Sequence, residues 1–240
     1  MAAVGSPRQM IATDRLVFLH LHKSGGTFVN ECLQRHVPAA HEIGYHLPRH
    51  MAPPSVSGLP MLGFVRNPWS YYVSWHAFQA GRPQPNALYR AASDDGRRDF
   101  KGTLLTLLDL ESDAARLSRL VAELPEAYGN RGINLPGFAL AGIRDSGLGF
   151  YSFLYRYMFG PDDGRVRIGR METLRDELPA MLESTGTPLN DEMRTFIAQA
   201  APRNTTEHSR YTDYYDEELS ARVAQRDAPV IARHGYVFGS

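Results

Sequence analysis

The sequence lacks the features of several common classes of protein. It has one cysteine, Cys32, among 240 residues, so an internal disulfide is excluded and a reducing compartment is expected. Cys32 recurs with apolar residues at helical spacing, which favours a packed core residue over a nucleophile. No apolar run approaches the roughly 20 residues of a membrane-spanning helix, and the first residues lack the basic start and apolar core of a secretory signal. We therefore expect a cytoplasmic protein with no membrane span.

An excess of charge of either sign is also absent. Lys and Arg together number 26, as do Asp and Glu, so there is no broad basic field for nucleic acid or for an anionic membrane. Any site that binds an anion must then be local. One segment is crowded with four histidines, but their spacing matches no familiar metal-ligand pattern and no cysteine accompanies them. They are His36, His41, His46 and His50. We predict that the protein holds no metal.

Length and apolar pattern predict a single α/β domain over residues 1–240. Short apolar runs predict strands at 16–21, 42–45, 61–65 and 165–169. Helical spacing predicts helices after 28 and 68, over 104–110, 114–124, 172–178 and 191–200, and after 217. Residues 1–14 are expected to form a loose leader. Strand–helix alternation stops over about 81–160, where we expect a helical insertion that forms an acceptor pocket or a lid.

The stretch 15–35 joins an apolar strand, a tight turn with the sequence HKSGGT, and a helix. The two glycines of the turn let the backbone approach a bound group closely, and the free N–H groups at the start of a helix attract anions. Lys23 adds a positive charge, and the serine and threonine add hydroxyl donors. The pattern predicts a site for a phosphate or a similar anion. However, the lysine precedes the glycines, whereas the nucleotide-binding P-loop has it after them, and an ordinary strand–helix turn with a solvent-facing Lys23 would look the same.

A second strand, 61–65, ends at Arg66. Asn67 is a good N-cap and Pro68 suits the first helical position, so a helix is predicted to follow and to carry Ser74 about two turns later. This places Arg66 at the carboxyl end of a strand and at a helix start, which is where ligands bind in open α/β sheets. Taken alone, the same residues are equally those of a structural ion pair and an ordinary helix-surface serine.

Together the two segments resemble the sulfotransferase family that uses 3′-phosphoadenosine 5′-phosphosulfate, in particular its bacterial-type members related to carbohydrate sulfotransferases. The family's Lys-[Ser/Thr]-Gly-[Gly/Thr]-Thr loop after an apolar strand corresponds to 18–27, and its strand–Arg-[Asn/Asp]-Pro–helix–Ser motif corresponds to 64–74. The resemblance implies a P-loop-like, three-layer α/β/α fold with a central parallel sheet. It implies that the first segment holds the 5′-phosphosulfate of the donor and the second its 3′-phosphate. The donor-binding residues so implied are Lys23, Ser24, Gly25, Gly26, Thr27, Phe28, Arg66 and Ser74.

The resemblance also implies a mechanism, which is in-line transfer to a hydroxyl group with Lys23 neutralising the leaving group in place of a metal. A general base is needed on the opposite side of the sulfuryl group. His46 is our candidate because it lies between the two donor motifs, where some carbohydrate sulfotransferases of the family carry a catalytic histidine, and Glu42 and His50 are the reserves. Basic residues of the tail would close over the donor, namely Arg203, His208 and Arg210.

The expected acceptor is a carbohydrate or another small molecule with a hydroxyl group. Aromatic residues in 69–78 and 138–159 suit stacking on its rings, although core packing accounts for them equally well. Two other functions use an anion-binding turn. A P-loop-type small-molecule kinase would need lysine after the glycines and carboxylates for magnesium, which the sequence does not convincingly offer. A non-catalytic adenine-nucleotide-binding relative would bind the donor without turnover.

Overall fold

The computed structural model describes residues 10–44, 46–127, 135–201 and 209–240. Its strands are β1 (Met10–Ala12), β2 (Val17–Leu19), β3 (His41–Gly44), β4 (Met61–Val65) and β5 (Val166–Arg170). Its α-helices are α1 (Gly26–His36), α2 (Pro68–Ala80), α3 (Ala87–Ser93), α4 (Phe100–Leu108), α5 (Ala114–Glu123), α6 (Gly137–Ala141), α7 (Phe150–Phe159), α8 (Leu174–Glu183), α9 (Asp191–Gln199), α10 (Glu217–Arg226) and α11 (Ala228–His234). Short 3₁₀ helices lie at Arg49–Met51, Met171–Thr173 and Tyr211–Tyr214.

The strands of the described residues form one mixed sheet in the order β3–β1–β2–β4–β5. Strands β2, β4 and β5 are parallel, whereas β1 is antiparallel to both of its neighbours, β2 and β3. Four strands therefore point the same way, and the carboxyl ends of β2, β3, β4 and β5 share one edge of the sheet. The α/β class predicted from the sequence is confirmed, with one antiparallel strand inserted into the otherwise parallel arrangement.

Strand β1 departs from the expected loose leader at residues 10–12, whereas residues 1–9 of that leader lie outside the described residues. Its three residues have no exposed surface, because they pair with β2 on one side and with β3 on the other. Thr13 then turns the chain, and its Oγ1 accepts a hydrogen bond of 3.0 Å from the N–H of Leu16. Three apolar residues between polar neighbours are too few to show a periodic pattern, so the sequence alone did not indicate this strand.

Two compact units divide the chain, one made of Met1–Arg66 and Tyr157–Thr205 and the other of Asn67–Arg156 and Thr206–Ser240. In the first unit, apolar residues of the sheet, α1, α8 and α9 form one buried core. This core contains Cys32, whose burial raises the pKa of its thiol to about 12. Cys32 is therefore a packed core residue, as its spacing predicted.

The second unit consists of helices in its described part: α2 to α6, most of α7, α10 and α11. The described residues of the interval 81–160 contain α3 to α7 and no strand. Their role as an acceptor pocket or lid stays a prediction, as does the single-domain organisation. No helix in the described ranges has both the length and the apolar character that crossing a membrane requires.

The second unit has a buried carboxylate, Asp227. This residue lies between α10 and α11 in the sequence and contacts the first turn of α7. The Ser152 N–H donates to its Oδ1 at 2.7 Å, and the Tyr72 hydroxyl donates to its Oδ2 at 2.8 Å. The Tyr72 oxygen in turn accepts a hydrogen bond of 3.0 Å from the N–H of Tyr151. The first N–H groups of a helix have no partner within it. Asp227 and Tyr72 therefore satisfy two such donors of α7 from distant parts of the sequence.

Candidate functional site

Three basic side chains reach the carboxyl edge of the sheet because of the strand directions. Lys23 follows β2, His46 follows β3, and Arg66 directly follows β4. Since β2 and β4 are paired along the whole of β2, the segments that continue them remain neighbours. Nη1 of Arg66 donates a hydrogen bond of 3.4 Å to the carbonyl oxygen of Lys23. The fold thus brings together the two motifs that are separated in the sequence.

The turn between β2 and α1 requires its two glycines for different reasons. Gly25 has a φ of 79°, in the left-handed region that favours glycine, and a Cβ there would lie 2.6 Å from Cδ1 of Leu174. Gly26 is the first residue of α1, and a Cβ there would lie 2.1 Å from the ring of His20. Its N-cap residue, Gly25, has no side chain that could accept a hydrogen bond from the first turn. The N-terminus of α1 follows β2 at the carboxyl edge of the sheet, where the helix dipole favours an anion.

The other residues of the predicted donor loop have different surroundings. Ser24 is buried, and its hydroxyl lies 3.5 Å from the carbonyl oxygen of His22. Thr27 is partly buried in the first turn of α1. Phe28 has the contacts of a core residue, because its ring stacks on Phe196 with 5.3 Å between the centroids. A contact of Phe28 with the donor stays a prediction.

Lys23 and Arg66 make the edge of the sheet locally positive in a chain of balanced charge. Both residues are partly buried. Burial, and secondly the charge of Arg66, lower the pKa of Lys23 from 10.5 to about 8. An anion bound beside the two side chains would offset the Arg66 charge and so favour the charged ammonium. A phosphate or sulfate group is a suitable partner, because a guanidinium binds such oxygens bidentately.

The fold groups His46 with two histidines that the sequence patterns did not single out, His20 and His22, and we call these three the histidine group. The ring centroids of His20 and His46 are 4.5 Å apart, and those of His22 and His46 are 6.2 Å apart. Nδ1 of His46 lies 2.7 Å from the carbonyl oxygen of His20. Because a carbonyl oxygen only accepts, this Nδ1 carries a proton. Burial lowers the pKa of His46 to about 4, so the ring is neutral at neutral pH and Nε2 is its basic nitrogen.

The other two members of the histidine group are placed by β2 and by the loop after it. Nδ1 of His20 lies 3.4 Å from Nδ2 of Asn30 on α1. His22 is partly buried directly before Lys23, and burial, followed by the charges of His46 and Lys23, lowers its pKa well below 6.5. Across the described residues, no three His, Cys, Asp or Glu side chains are grouped so as to hold a metal ion. That the reaction needs no metal stays a prediction.

The two reserve bases lie on either side of His46 in the sequence. Glu42 is on β3, and its Oε1 accepts a hydrogen bond of 3.1 Å from Gln34. His50 is exposed, and its ring meets Tyr157 edge-on with 5.5 Å between the centroids. Of the three candidate bases, it is His46 whose ring contacts His20 and His22.

The loop after His46 is anchored at Arg49. The guanidinium of Arg49 donates two hydrogen bonds to the carboxylate of Asp163, at 2.7 and 2.9 Å. The hydrogen bond to Arg49 is the main reason that the pKa of Asp163 falls to about 2. This ion pair fixes the chain three residues beyond His46.

The remaining predicted site residues belong to the second unit or lie outside the described residues. Ser74 is buried on α2. That helix begins as predicted, because Oδ1 of Asn67 accepts hydrogen bonds from two N–H groups of its first turn. Arg210 is exposed, whereas Arg203 and His208 lie outside the described residues. Their parts in donor binding stay predictions.

Comparisons with known proteins give few matches. The chain matches no family model and no curated protein. Among solved structures it is similar to mouse sulfotransferase SULT7A1 complexed with PAP, at 13% sequence identity and a TM-score of 0.49, over 87% of this chain and 80% of that chain. A similarity of this size does not assign the chain to a family, so a function must be argued from the residues of the site.

Proposed function

We propose that this protein transfers a sulfuryl group from 3′-phosphoadenosine 5′-phosphosulfate, the donor, to a hydroxyl group of a carbohydrate or another small molecule. The observation that carries the proposal is the contact between the Arg66 guanidinium and the backbone of Lys23 beside the glycine-capped N-terminus of α1. The donor has anionic groups at both ends of an adenosine. Two cations and a helix N-terminus on one edge of a sheet suit a ligand with more than one anionic group.

In the proposed complex, the 5′-phosphosulfate lies against the loop 23–27. The ammonium of Lys23 and the first N–H groups of α1 would bind its oxygens, and the glycine turn lets the backbone come close to them. Arg66 would bind the 3′-phosphate, since a guanidinium can donate two hydrogen bonds to it. Contributions from Ser24, Phe28 and Ser74 rest on the sequence resemblance.

The chemistry requires in-line geometry and stabilisation of the charge that develops on the leaving oxygen. The acceptor oxygen forms a bond to sulfur while the bond from sulfur to the bridging phosphate oxygen breaks, and that electron pair stays on the phosphate. The Lys23 ammonium stabilises the resulting charge. A neutral histidine takes the proton of the acceptor hydroxyl, and His46, with Nε2 as its basic nitrogen, is the residue proposed from the sequence.

Calorimetric titration with the donor product, 3′,5′-adenosine bisphosphate, tests the proposal in the presence of a metal chelator. Lys23→Ala and Arg66→Ala should each weaken binding by about 1.5–3 kcal/mol, the size of a hydrogen bond to a charged group. Arg35→Gln is the matched control, because Arg35 lies at the other end of α1 and pairs with Glu31 at 2.6 Å. It should bind the bisphosphate like the wild type. Unchanged affinity in both alanine variants would refute the proposal.

The two other functions predict different results in the same experiment. A kinase would bind ATP in a magnesium-dependent manner and more tightly than it binds the bisphosphate without metal. A non-catalytic nucleotide-binding protein would bind the bisphosphate but release none from the donor with any sugar, phenol or alcohol. The order of Lys23 and the glycines argues against the kinase.

A further inference from the structure

His22 is the member of the histidine group that is best placed to meet a ligand. A general base must come within hydrogen-bond reach of the hydroxyl that it deprotonates. His46 is only 3% exposed, which leaves little room for an acceptor. His22 is more exposed, and it directly precedes Lys23. It therefore lies on the loop that carries the proposed donor site.

His46 is fixed behind His22 by contacts on several sides. Its Nδ1–H donates to the carbonyl oxygen of His20, and the rings of these two residues pack at 4.5 Å. The Arg49–Asp163 ion pair anchors the loop that follows. The His22 ring meets the His46 ring edge-on, with 6.2 Å between centroids and 73° between planes. An edge-on ring contact at this distance restricts the orientation of both rings.

We infer that His22 is a further catalytic residue, which takes the proton of the acceptor hydroxyl, and that His46 is a positioning residue, which orients the His22 ring. The inference rests on the proposed sulfuryl transfer and moves the base from His46 to His22. Lys23, the next residue along the chain, disfavours a second cation on His22, and Arg66 disfavours the charge of Lys23 in the same way. Burial together with the charges of His46 and Lys23 accordingly keeps the pKa of His22 low and its ring neutral. The negative charge of a bound donor raises that pKa, so the ring becomes a stronger base when the donor is present.

The inferred step balances in atoms and charge. A ring nitrogen of His22 accepts the hydroxyl proton as the bond between the acceptor oxygen and sulfur forms. The bond from sulfur to the bridging oxygen breaks, and its electron pair leaves with the bisphosphate beside Lys23. The imidazolium of His22 then returns its proton to solvent, since this residue is only partly buried.

Glutamine variants separate the two histidine roles. Glutamine has an amide N–H but is not a base. His22→Gln should lower bisphosphate release from the donor by about 10²- to 10⁴-fold across a panel of sugars, phenols and alcohols, with unchanged affinity for the bisphosphate. His46→Gln keeps an N–H for the carbonyl oxygen of His20 and should stay within about tenfold of the wild type, whereas His46→Ala should fall further. His41→Gln alters an exposed histidine and serves as the control with wild-type rate.

A chemical measurement tests the same inference without an acceptor. Diethyl pyrocarbonate modifies accessible neutral imidazoles, and mass mapping of peptides identifies the modified residues. His22 should react before His46, and the bisphosphate should slow the reaction at His22 because it binds beside Lys23.

The outcomes distinguish failure of the inference from failure of the proposed function. A wild-type rate in His22→Gln with loss of turnover in His46→Gln would return the base to His46 and overturn the inference. Faster modification of His46 than of His22, or no protection of His22, would overturn it as well, and these results decide the matter if the panel gives no turnover. If the wild-type protein does not bind the bisphosphate at all, the proposed function itself fails.

Discussion

At the scale of the residue, the surroundings of Lys23 are those of a site that binds an anion. Its ammonium is partly buried beside Arg66, so its charge is disfavoured in the free protein and its pKa is about 8. The φ of 61° at this residue places it, like Gly25, in the left-handed region. The fold therefore holds the lysine in a strained turn where burial disfavours its charge. Such arrangements are typical of binding sites rather than of surface turns.

The lowered pKa of Lys23 predicts that anion binding takes up a proton. Above its pKa the free side chain is neutral, whereas a bound phosphate group favours the charged form. Titrations of 3′,5′-adenosine bisphosphate in buffers of different ionisation enthalpy should show proton uptake that appears as the pH rises past about 8. Affinity should fall with pH over the same range. Lys23→Ala should abolish the proton uptake, and uptake that persists in this variant would assign the titration to another group.

At the scale of an element, the start of helix α7 is stabilised by side chains from elsewhere in the chain. Its first N–H groups are satisfied by Asp227 and Tyr72, which the chain brings from opposite sides in sequence. Burial raises the pKa of Asp227 to about 6, against 3.8 in a free side chain. The ionised carboxylate thus has hydrogen-bond donors and yet remains costly to bury.

This raised pKa predicts a pH-dependent stability. Between 3.8 and about 6 the folded chain holds a proton on Asp227 that the unfolded chain has released, so the free energy of unfolding falls as pH rises through this interval and then levels. Asp227→Asn should remove that dependence in urea unfolding curves. Asp227→Ala should cost about 1–3 kcal/mol for each donor left without an acceptor.

Asp213→Asn is the control for this experiment, because Asp213 is exposed in the same unit. It should leave the pH dependence unchanged. A pH dependence that survives in Asp227→Asn would show that another group causes it.

Elements that lie in longer apolar runs or follow a clear cap were predictable from the sequence, and isolated short ones were not. Apolar runs predicted β2, β4 and β5, and the cap at Asn67 and the spacing of apolar residues predicted α2, α4 and α9, with ends within a few residues of those observed. Strand β1 was missed because its three apolar residues stand alone, whereas β2, of the same length, lies within the longer apolar run 16–21. Its burial depends on pairing with β3, which lies some thirty residues later.

The residues of the candidate site also differ in whether the sequence could predict them. The Lys23 and Arg66 motifs were visible in the sequence because glycines, a lysine and a strand end have local signatures. His20 and His22 were not singled out, because a histidine within an apolar run has no periodic signal. Their significance comes from tertiary contacts, such as the packing of His20 on Gly26 and the proximity of both rings to His46. The position of His22 directly before Lys23 was the one local clue.

At the scale of the whole molecule, the direction of the strands places the residues of the proposed site at one edge of the sheet. The chain has equal numbers of acidic and basic residues, yet Lys23, Arg66 and the histidine group meet at one edge because four strands end there. Inserting β1 antiparallel keeps β3 in line with β2 and so places His46 on that edge. A balanced chain can in this way build a local anion site without a basic surface.

The most direct test of the central claim compares 3′,5′-adenosine bisphosphate with 5′-AMP, which lacks the 3′-phosphate, by calorimetry without metal. The wild type should prefer the bisphosphate. Arg66→Ala should reduce that preference by about 10- to 100-fold, and Lys23→Ala should weaken both ligands. Equal binding of the two nucleotides by the wild type, or nucleotide binding that requires magnesium, would contradict the account.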